Sequence, residues 1–198
     1  MVSFPDSTLK LKKYCEVLSN SNLTVSPTFF RRFNCPERCG ACCPKFSLDY
    51  FGERWLQFKQ LYPQESTSFL NRFVNGVEFF TDYQKENNDH FCKFLNKTNG
   101  RCKIHQAKPL SCRVEIIKFI KTKDRSTIYI RKFGRGWNML NLTGCRGTMC
   151  SFQPLTRESY NESVNLLTEI QNLGEMWKYN MLPLEKTILN LKKEPLLI

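Results

Sequence analysis

Ten cysteines in 198 residues, four of them packed into CPERCGACC at 35–43, are the residue types and spacings here that point most directly to chemistry. The pattern is Cys35-x3-Cys39-x2-Cys42-Cys43, then Cys92, Cys102 and Cys112 at nine-residue gaps, then Cys145-x4-Cys150. Thiolates in such numbers suit a tetrahedral zinc site or a 4Fe–4S cube, each of which takes four ligands. Spacings of two and three let one loop supply several of them, and Gly40 permits the tight turn this requires. Neighbouring side chains diverge, so Cys42 and Cys43 either serve two sites, or one binds while the other packs. Disulfides, a reactive thiol and plain burial are the other uses of so much sulfur.

The redox compartment narrows these choices. MVSFPDSTLKLKKYC has no apolar core and no small-residue cleavage site, so it does not read as a signal peptide. No run of eighteen apolar residues is present to span a membrane. The expectation is a cytoplasmic protein, where structural disulfides are rare. The cysteines then read as metal or cluster ligands, with a few buried as small hydrophobes.

The elements that must position these thiols are α+β in pattern: a small helix-rich domain with a β-hairpin and irregular cysteine-bearing loops. STLKLKKYCEVLS (7–19) spaces Leu11, Cys15 and Leu18 as the apolar face of a helix, which puts Cys15 in the core and not among the ligands. SNSNLTVSP (19–27) reads as a linker, and SLDYFGERWLQFKQLYP (47–63) as a helix capped by Ser47 and ended by Pro63. A short helix is expected at 66–74, then a polar loop, QKENNDH. VEIIKFIKTKDRSTIYIRKF (114–133) is a hairpin about TKDR, and 158–177 is a helix lined by Val164, Leu167, Ile170 and Leu173. A last short helix is expected near 182–192. The division is an N-terminal helix and linker (1–30), a cysteine-cluster metal-binding domain with its hairpin (31–150), and a C-terminal helical extension (151–198).

Charge is unevenly spread. Of a net +12, residues 101–146 contribute +10: twelve Lys/Arg against Glu115 and Asp124. Lys118, Lys121, Lys123, Arg125, Arg131, Lys132 and Arg135 form a candidate surface for nucleic acid or an acidic protein, or simply a solvated hairpin. Phe29, Phe30 and Phe33 interleave with Arg31 and Arg32. They are either base-stacking groups or core phenylalanines, and core packing is the favoured reading.

CPERCGACC resembles the cysteine-cluster motif of the YkgJ-like proteins, described as zinc- or iron-chelating. That family also carries C-x-I-Y-x-x-R-P-x-x-C-R, and CKIHQAKPLSCR places Cys102, Ile104, Pro109, Cys112 and Arg113 on the pattern. FCKFLN supplies Cys92 where the family has a cysteine before its Phe-Leu pair. The resemblance covers about 33–118, with His105 in place of the usual tyrosine and Lys108 in place of an arginine. His105 is thereby a possible additional ligand. The resemblance implies metal ligation by Cys35, Cys39, Cys42, Cys43, Cys92, Cys102 and Cys112, with Cys145 added as a further candidate by its position. Some relatives that contain this domain are flagellin lysine methylases, a branch linked to an iron–sulfur cluster, which favours a 4Fe–4S cluster over zinc.

No GxGxxG, P-loop, GxSxG or HExxH motif occurs. Cys35-x3-Cys39-x2-Cys42 matches the spacing of radical-SAM sites, but the alternating βα pattern of that fold is missing. Asp49 and Glu53, four residues apart on the expected helix, are weak acid/base candidates. The expected function is a metal-cluster-binding protein with a basic partner surface. A zinc-stabilised adaptor for nucleic acid or acidic protein is the first alternative, and a lysine-methylase-like enzyme the second.

Overall fold

The protein is described by a computed structural model, which covers residues 7–20, 23–25, 27–30, 33–34, 47–82, 92–96, 98, 101–114, 117–121, 126–130, 151–152 and 154–184. The chain forms two compact units. One comprises Met1–Lys10, Pro36–Val114 and Phe133–Met149, the other Leu11–Cys35, Glu115–Lys132 and Cys150–Ile198. The fold is α+β, as the sequence pattern leads one to expect.

In the unit built on 36–114, three strands form an antiparallel sheet in the order β3 (Leu48–Tyr50), β5 (Val77–Asp82), β4 (Leu70–Val74). This corrects two expectations. Residues 47–50 are not the first turn of a helix: Leu48 and Tyr50 alternate with Asp49 in a strand that registers Asp49 against Thr81. The helix α2 (Gly52–Leu61) starts later, after an extended Phe51 at its N-cap. Gly52 has φ +53°, a left-handed value that few residues with a Cβ tolerate, and this is where the extended chain turns into helix. Nor is 66–74 helical. Its second half is β4, joined to β5 by Asn75 (φ 52°) and Gly76 (φ 81°), the paired left-handed residues of a type I′ hairpin turn. Pro63 does not simply end α2 but starts the short α3 (Pro63–Ser66), where a first-turn proline loses no helix hydrogen bond.

α2 buries Trp55 and Phe58, three residues apart, against Leu48, Tyr50, Phe69, Phe94, Ile104 and Ala107. The rings meet closely: Tyr50 stacks on Phe58 at 4.4 Å and Trp55 on Phe80 at 4.3 Å. Such pairs add about 0.5–1.5 kcal/mol each beyond the area they bury. Below this cluster the chain doubles back, with Leu95 bridging Cys102, Lys103 N–H donating to Phe94 O at 2.8 Å, and Asn96 N–H to Arg101 O at 2.8 Å. A 3-10 turn (His105–Ala107) and the one-turn helix α4 (Leu110–Arg113) follow.

The second unit contains most of α1 (Ser7–Leu18), β1 (Leu23–Val25), a 3-10 turn (Pro27–Phe30), β2 (Phe33–Asn34), β6 (Ile117–Lys121), β7 (Ser126–Ile130), β8 (Ser151–Phe152) and α5 (Arg157–Met176). The expected hairpin is present as β6–β7, antiparallel with Ile117 opposite Ile130. The expected linker is not wholly a linker. Its Leu-Thr-Val forms β1, parallel to β7, with Leu23 and Val25 buried. Three alternating residues were too short a signal to read as a strand. α5 begins at a reciprocal cap in which Ser159 N–H donates to Thr156 Oγ1 at 3.1 Å and Thr156 N–H to Ser159 Oγ at 3.0 Å. It buries Leu167, Ile170 and Leu173, as the helical spacing requires. The expected polar loop at 84–90, and all but the first residues of the helix expected at 182–192, lie outside the described residues.

Among the described residues no helix is long and apolar enough to cross a membrane.

Candidate metal centre

Four thiols are described. Cys15 is fully buried on α1, and its Sγ donates weakly to Ile170 O on α5 at 3.6 Å. Burial pushes this thiol up to about 12. A neutral, enclosed sulfur packed as a hydrophobe is what its helical spacing calls for.

Cys92, Cys102 and Cys112 behave differently. All three are half-buried, and all three pack against the aromatic cluster of the first unit. They come from three short elements: the turn before Leu95, the bridge at Cys102, and α4. They pack on the same hydrophobic cluster as Tyr50, which is fully buried on β3. Burial drives the Tyr50 hydroxyl well above the ordinary phenol range; Cys112 and Cys102 raise it further, Arg54 opposes, and Cys92 adds to the rise. Three sulfurs separated by nine-residue gaps in sequence thus line one hydrophobic cluster.

Cys92 is pushed up to about 11, chiefly by burial, with Cys102 and Asp82 adding to the rise; a hydrogen bond from the Phe94 backbone and the Lys93 charge work the other way. Burial outweighs the Lys93 charge, so this sulfur holds its proton at neutral pH. A bound metal reverses that balance, since coordination deprotonates a thiol outright. A backbone N–H aimed at sulfur also suits a thiolate ligand.

The frame around these sulfurs is fixed by polar contacts that the sequence pattern did not reveal. Tyr50 donates its hydroxyl proton to Ala107 O at 2.6 Å, and Tyr62 donates to Lys103 O at 3.3 Å. Asp49 is fully buried and accepts from Thr81 Oγ1 at 2.5 Å, Arg72 Nη2 at 3.0 Å and Ser47 Oγ at 3.2 Å. Arg72 Nε also donates to Thr81 Oγ1 at 2.7 Å, so one buried carboxylate ties all three strands together. Asp49 therefore does not share a helix face with Glu53, which lies exposed in the first turn of α2. The shared helix face that suggested an acid/base pair is therefore absent. Beside Cys92, Lys93 pairs with Asp82, donates to Ser68 Oγ at 2.9 Å and lies over the Phe94 ring at 5.1 Å.

Cys35, Cys39, Cys42, Cys43 and Cys145 lie outside the described residues. Among the described residues no three His, Cys, Asp or Glu side chains converge to hold one ion. Cys92, Cys102 and Cys112 line one hydrophobic cluster and do not by themselves close a metal site. As donors they fit zinc or an iron–sulfur cluster by type, being soft sulfurs withdrawn from bulk water. His105 is exposed on its 3-10 turn.

Of the basic surface, Lys118 and Lys121 lie on β6, in register with Tyr129 and Ser126. Lys123, Arg125, Arg131, Lys132 and Arg135 lie outside the described residues. Phe29 and Phe30 are buried, edge to face at 5.3 Å, and Phe30 stacks on Tyr160 at 5.1 Å. Packed in this way they are core residues, not a platform for bases. Arg31 and Arg32 are outside the described residues.

Sequence reasoning found the three thiols, named Asp49 but placed it on a helix face, and missed Tyr50 and Arg72. The alternation of Leu48 and Tyr50 ahead of Gly52 was the available signal for the strand that carries Tyr50 and Asp49; nothing marked Arg72.

No curated protein and no solved structure matches this chain. A family model does, over residues 34–131, and its description is "Putative zinc- or iron-chelating domain". The match takes in CPERCGACC, Cys92, Cys102 and Cys112, and the β6–β7 hairpin. Over residues 34–131 this chain belongs to the CxxCxxCC family.

Proposed function

We propose that the protein holds an iron–sulfur cluster through cysteine thiolates and presents a basic hairpin to an acidic partner. The observation that carries the first half is the packing of Cys92, Cys102 and Cys112 on one hydrophobic cluster. Sulfurs drawn from distant points of the sequence onto one packed cluster are already partly ordered and withdrawn from water, so less remains to be ordered when a site forms. The candidate pool is these three together with Cys35, Cys39, Cys42, Cys43 and Cys145, from which a 4Fe–4S cluster takes four. When bound, the cluster would supply one-electron chemistry or a structural clamp. The residues of the chain would bind it, shield it from water and hydrogen-bond its sulfurs. Zinc, the other metal in the family's description, would use the same thiolates as a structural site.

The second half rests on charge: +10 within residues 101–146 is enough to attract a polyanion at moderate salt. A cytoplasmic, reducing setting fits a protein that keeps so many thiols available.

Serine replacement tests the ligand assignment. Cys39→Ser and Cys102→Ser are expected to lose metal and to melt at a lower temperature, because metal that binds only the folded chain stabilises it. Cys15→Ser is expected to keep its metal. Full metal content and an unchanged melting temperature in Cys39→Ser or Cys102→Ser would contradict the assignment of that cysteine.

A further inference from the structure

Among the described residues one buried side-chain oxygen has no hydrogen-bond partner, and it is Ser111 Oγ. Ser111 is fully buried in α4, between the buried Leu110 and the half-buried Cys112. α4 packs on β3, the strand that carries Tyr50, and Cys112, the next residue after Ser111, packs on the same hydrophobic cluster as Cys92 and Cys102. The orphan hydroxyl is thus one residue away from one of these three thiols.

Burying a hydroxyl with no partner costs about 1–3 kcal/mol. Its neighbours Leu110 and Val114 are apolar and buried, so alanine would pack here without that penalty. Neutral thiols accept hydrogen bonds poorly, whereas a metal-bound thiolate or cluster sulfide carries charge and accepts well. We propose that Ser111 is a positioning residue whose hydroxyl donates to a sulfur of the bound metal site. This rests on the metal-binding reading above and adds a residue that the cysteine pattern does not contain. Hydrogen bonds to sulfur stabilise the more negative state of a cluster and raise its reduction potential. Outer partners of metal ligands are commonly worth ten- to a hundredfold in metal affinity.

The experiment compares wild type, Ser111→Ala and Ser111→Thr in the full chain. Zinc affinity is read by competition with a chromophoric chelator, and the midpoint potential is read after reconstitution with iron and sulfide. Ser111→Ala is expected to bind zinc about ten- to a hundredfold more weakly. Its reconstituted cluster is expected to have a lower potential. Ser111→Thr, which keeps the hydroxyl, is expected to recover most of both. Melting of the metal-free proteins adds a sign test: Ser111→Ala should be as stable as wild type or more so, since its orphan is gone, yet less stable once loaded. A purely structural role would shift both forms in the same direction. Unchanged zinc affinity and potential in Ser111→Ala, with a wild type that loads normally, would overturn the role of Ser111 alone. A wild type that takes up neither metal would overturn the metal-binding reading, and this inference with it.

Discussion

The Tyr50 hydroxyl donates to the Ala107 carbonyl at 2.6 Å, fastening β3 to the 3-10 turn between Cys102 and Cys112. Both groups are fully buried, and residues 57 apart in sequence are held by one bond. β3 begins five residues after Cys43, so the same bond joins the segment just past the first cysteine motif to the heart of the second. The aromatic cluster keeps the ring in place, and the hydroxyl fixes what the ring faces.

Removing that hydroxyl should be felt. Tyr50→Phe keeps the stacking on Phe58 but leaves a buried carbonyl unpaired, at a cost of about 1–3 kcal/mol. Urea denaturation of the metal-free protein would measure it. A loss below about 0.5 kcal/mol would mean that the bond does not hold the turn, since even a typical exposed bond is worth that much.

Asp49 and Arg72 make a second test. Arg72→Met leaves the fully buried Asp49 carboxylate without its cation, which for a buried pair costs about 3–5 kcal/mol. The lower end applies, because the Arg72 side chain keeps 22% of its exposure and solvent screens the pair. The double change Asp49→Asn with Arg72→Met removes the stranded charge and should be less destabilised than Arg72→Met alone. A double variant at least as unstable as the sum of the singles would contradict this account of the sheet.

Cys15 gives a pH dependence. Its thiol rises from an ordinary 9.0 to about 12 in the fold, so the folded protein keeps a proton that the unfolded chain gives up. This contribution is full below about pH 9 and is lost as pH climbs from there toward 12, with a slope of at most about 1.4 kcal/mol per pH unit. Cys15→Val lacks this group, so its stability should fall less steeply between about pH 9 and 11. Parallel curves for the two proteins would show that Cys15 titrates normally. Alkylation at pH 8 should spare Cys15 in the folded chain for the same reason.

The hairpin prediction concerns salt. Reversing Lys121, Lys123, Arg125 and Arg131 to glutamate should abolish polyanion binding while metal content stays intact. Wild-type affinity for a nucleic-acid or acidic-protein partner should fall steeply between about 50 and 200 mM salt, as released counterions require. Neither copurifying nucleic acid nor a shift at low salt would leave an acidic protein as the partner; failure of a pull-down as well would remove the partner surface.

How much of this was legible in the sequence follows from the length of each signal. Cys15, α5 and the β6–β7 hairpin sit in long periodic runs, and their packing or pairing follows that period. The clustering of Cys92, Cys102 and Cys112 came from a resemblance, since nine-residue gaps predict no geometry of their own. β3 was hidden because three residues of strand run straight into a helix, and only Gly52 marked the change. β4–β5 was legible and misread: Asn75-Gly76 between apolar runs is a strong hairpin signal, and it outweighs the helical look of 66–74. Ser111, Arg72 and the structural role of Asp49 were not legible, because a polar residue in sequence gives no sign of whether its partners will be water, protein or metal.

The most direct measurement is iron, zinc and inorganic sulfide content of the full chain purified without oxygen, together with its visible spectrum. The account predicts a brown protein with iron and sulfide in near-equal amounts, and the loss of both in Cys112→Ser. A colourless protein, whether it holds zinc or no metal, or a Cys112→Ser variant that keeps its full metal content, would contradict it.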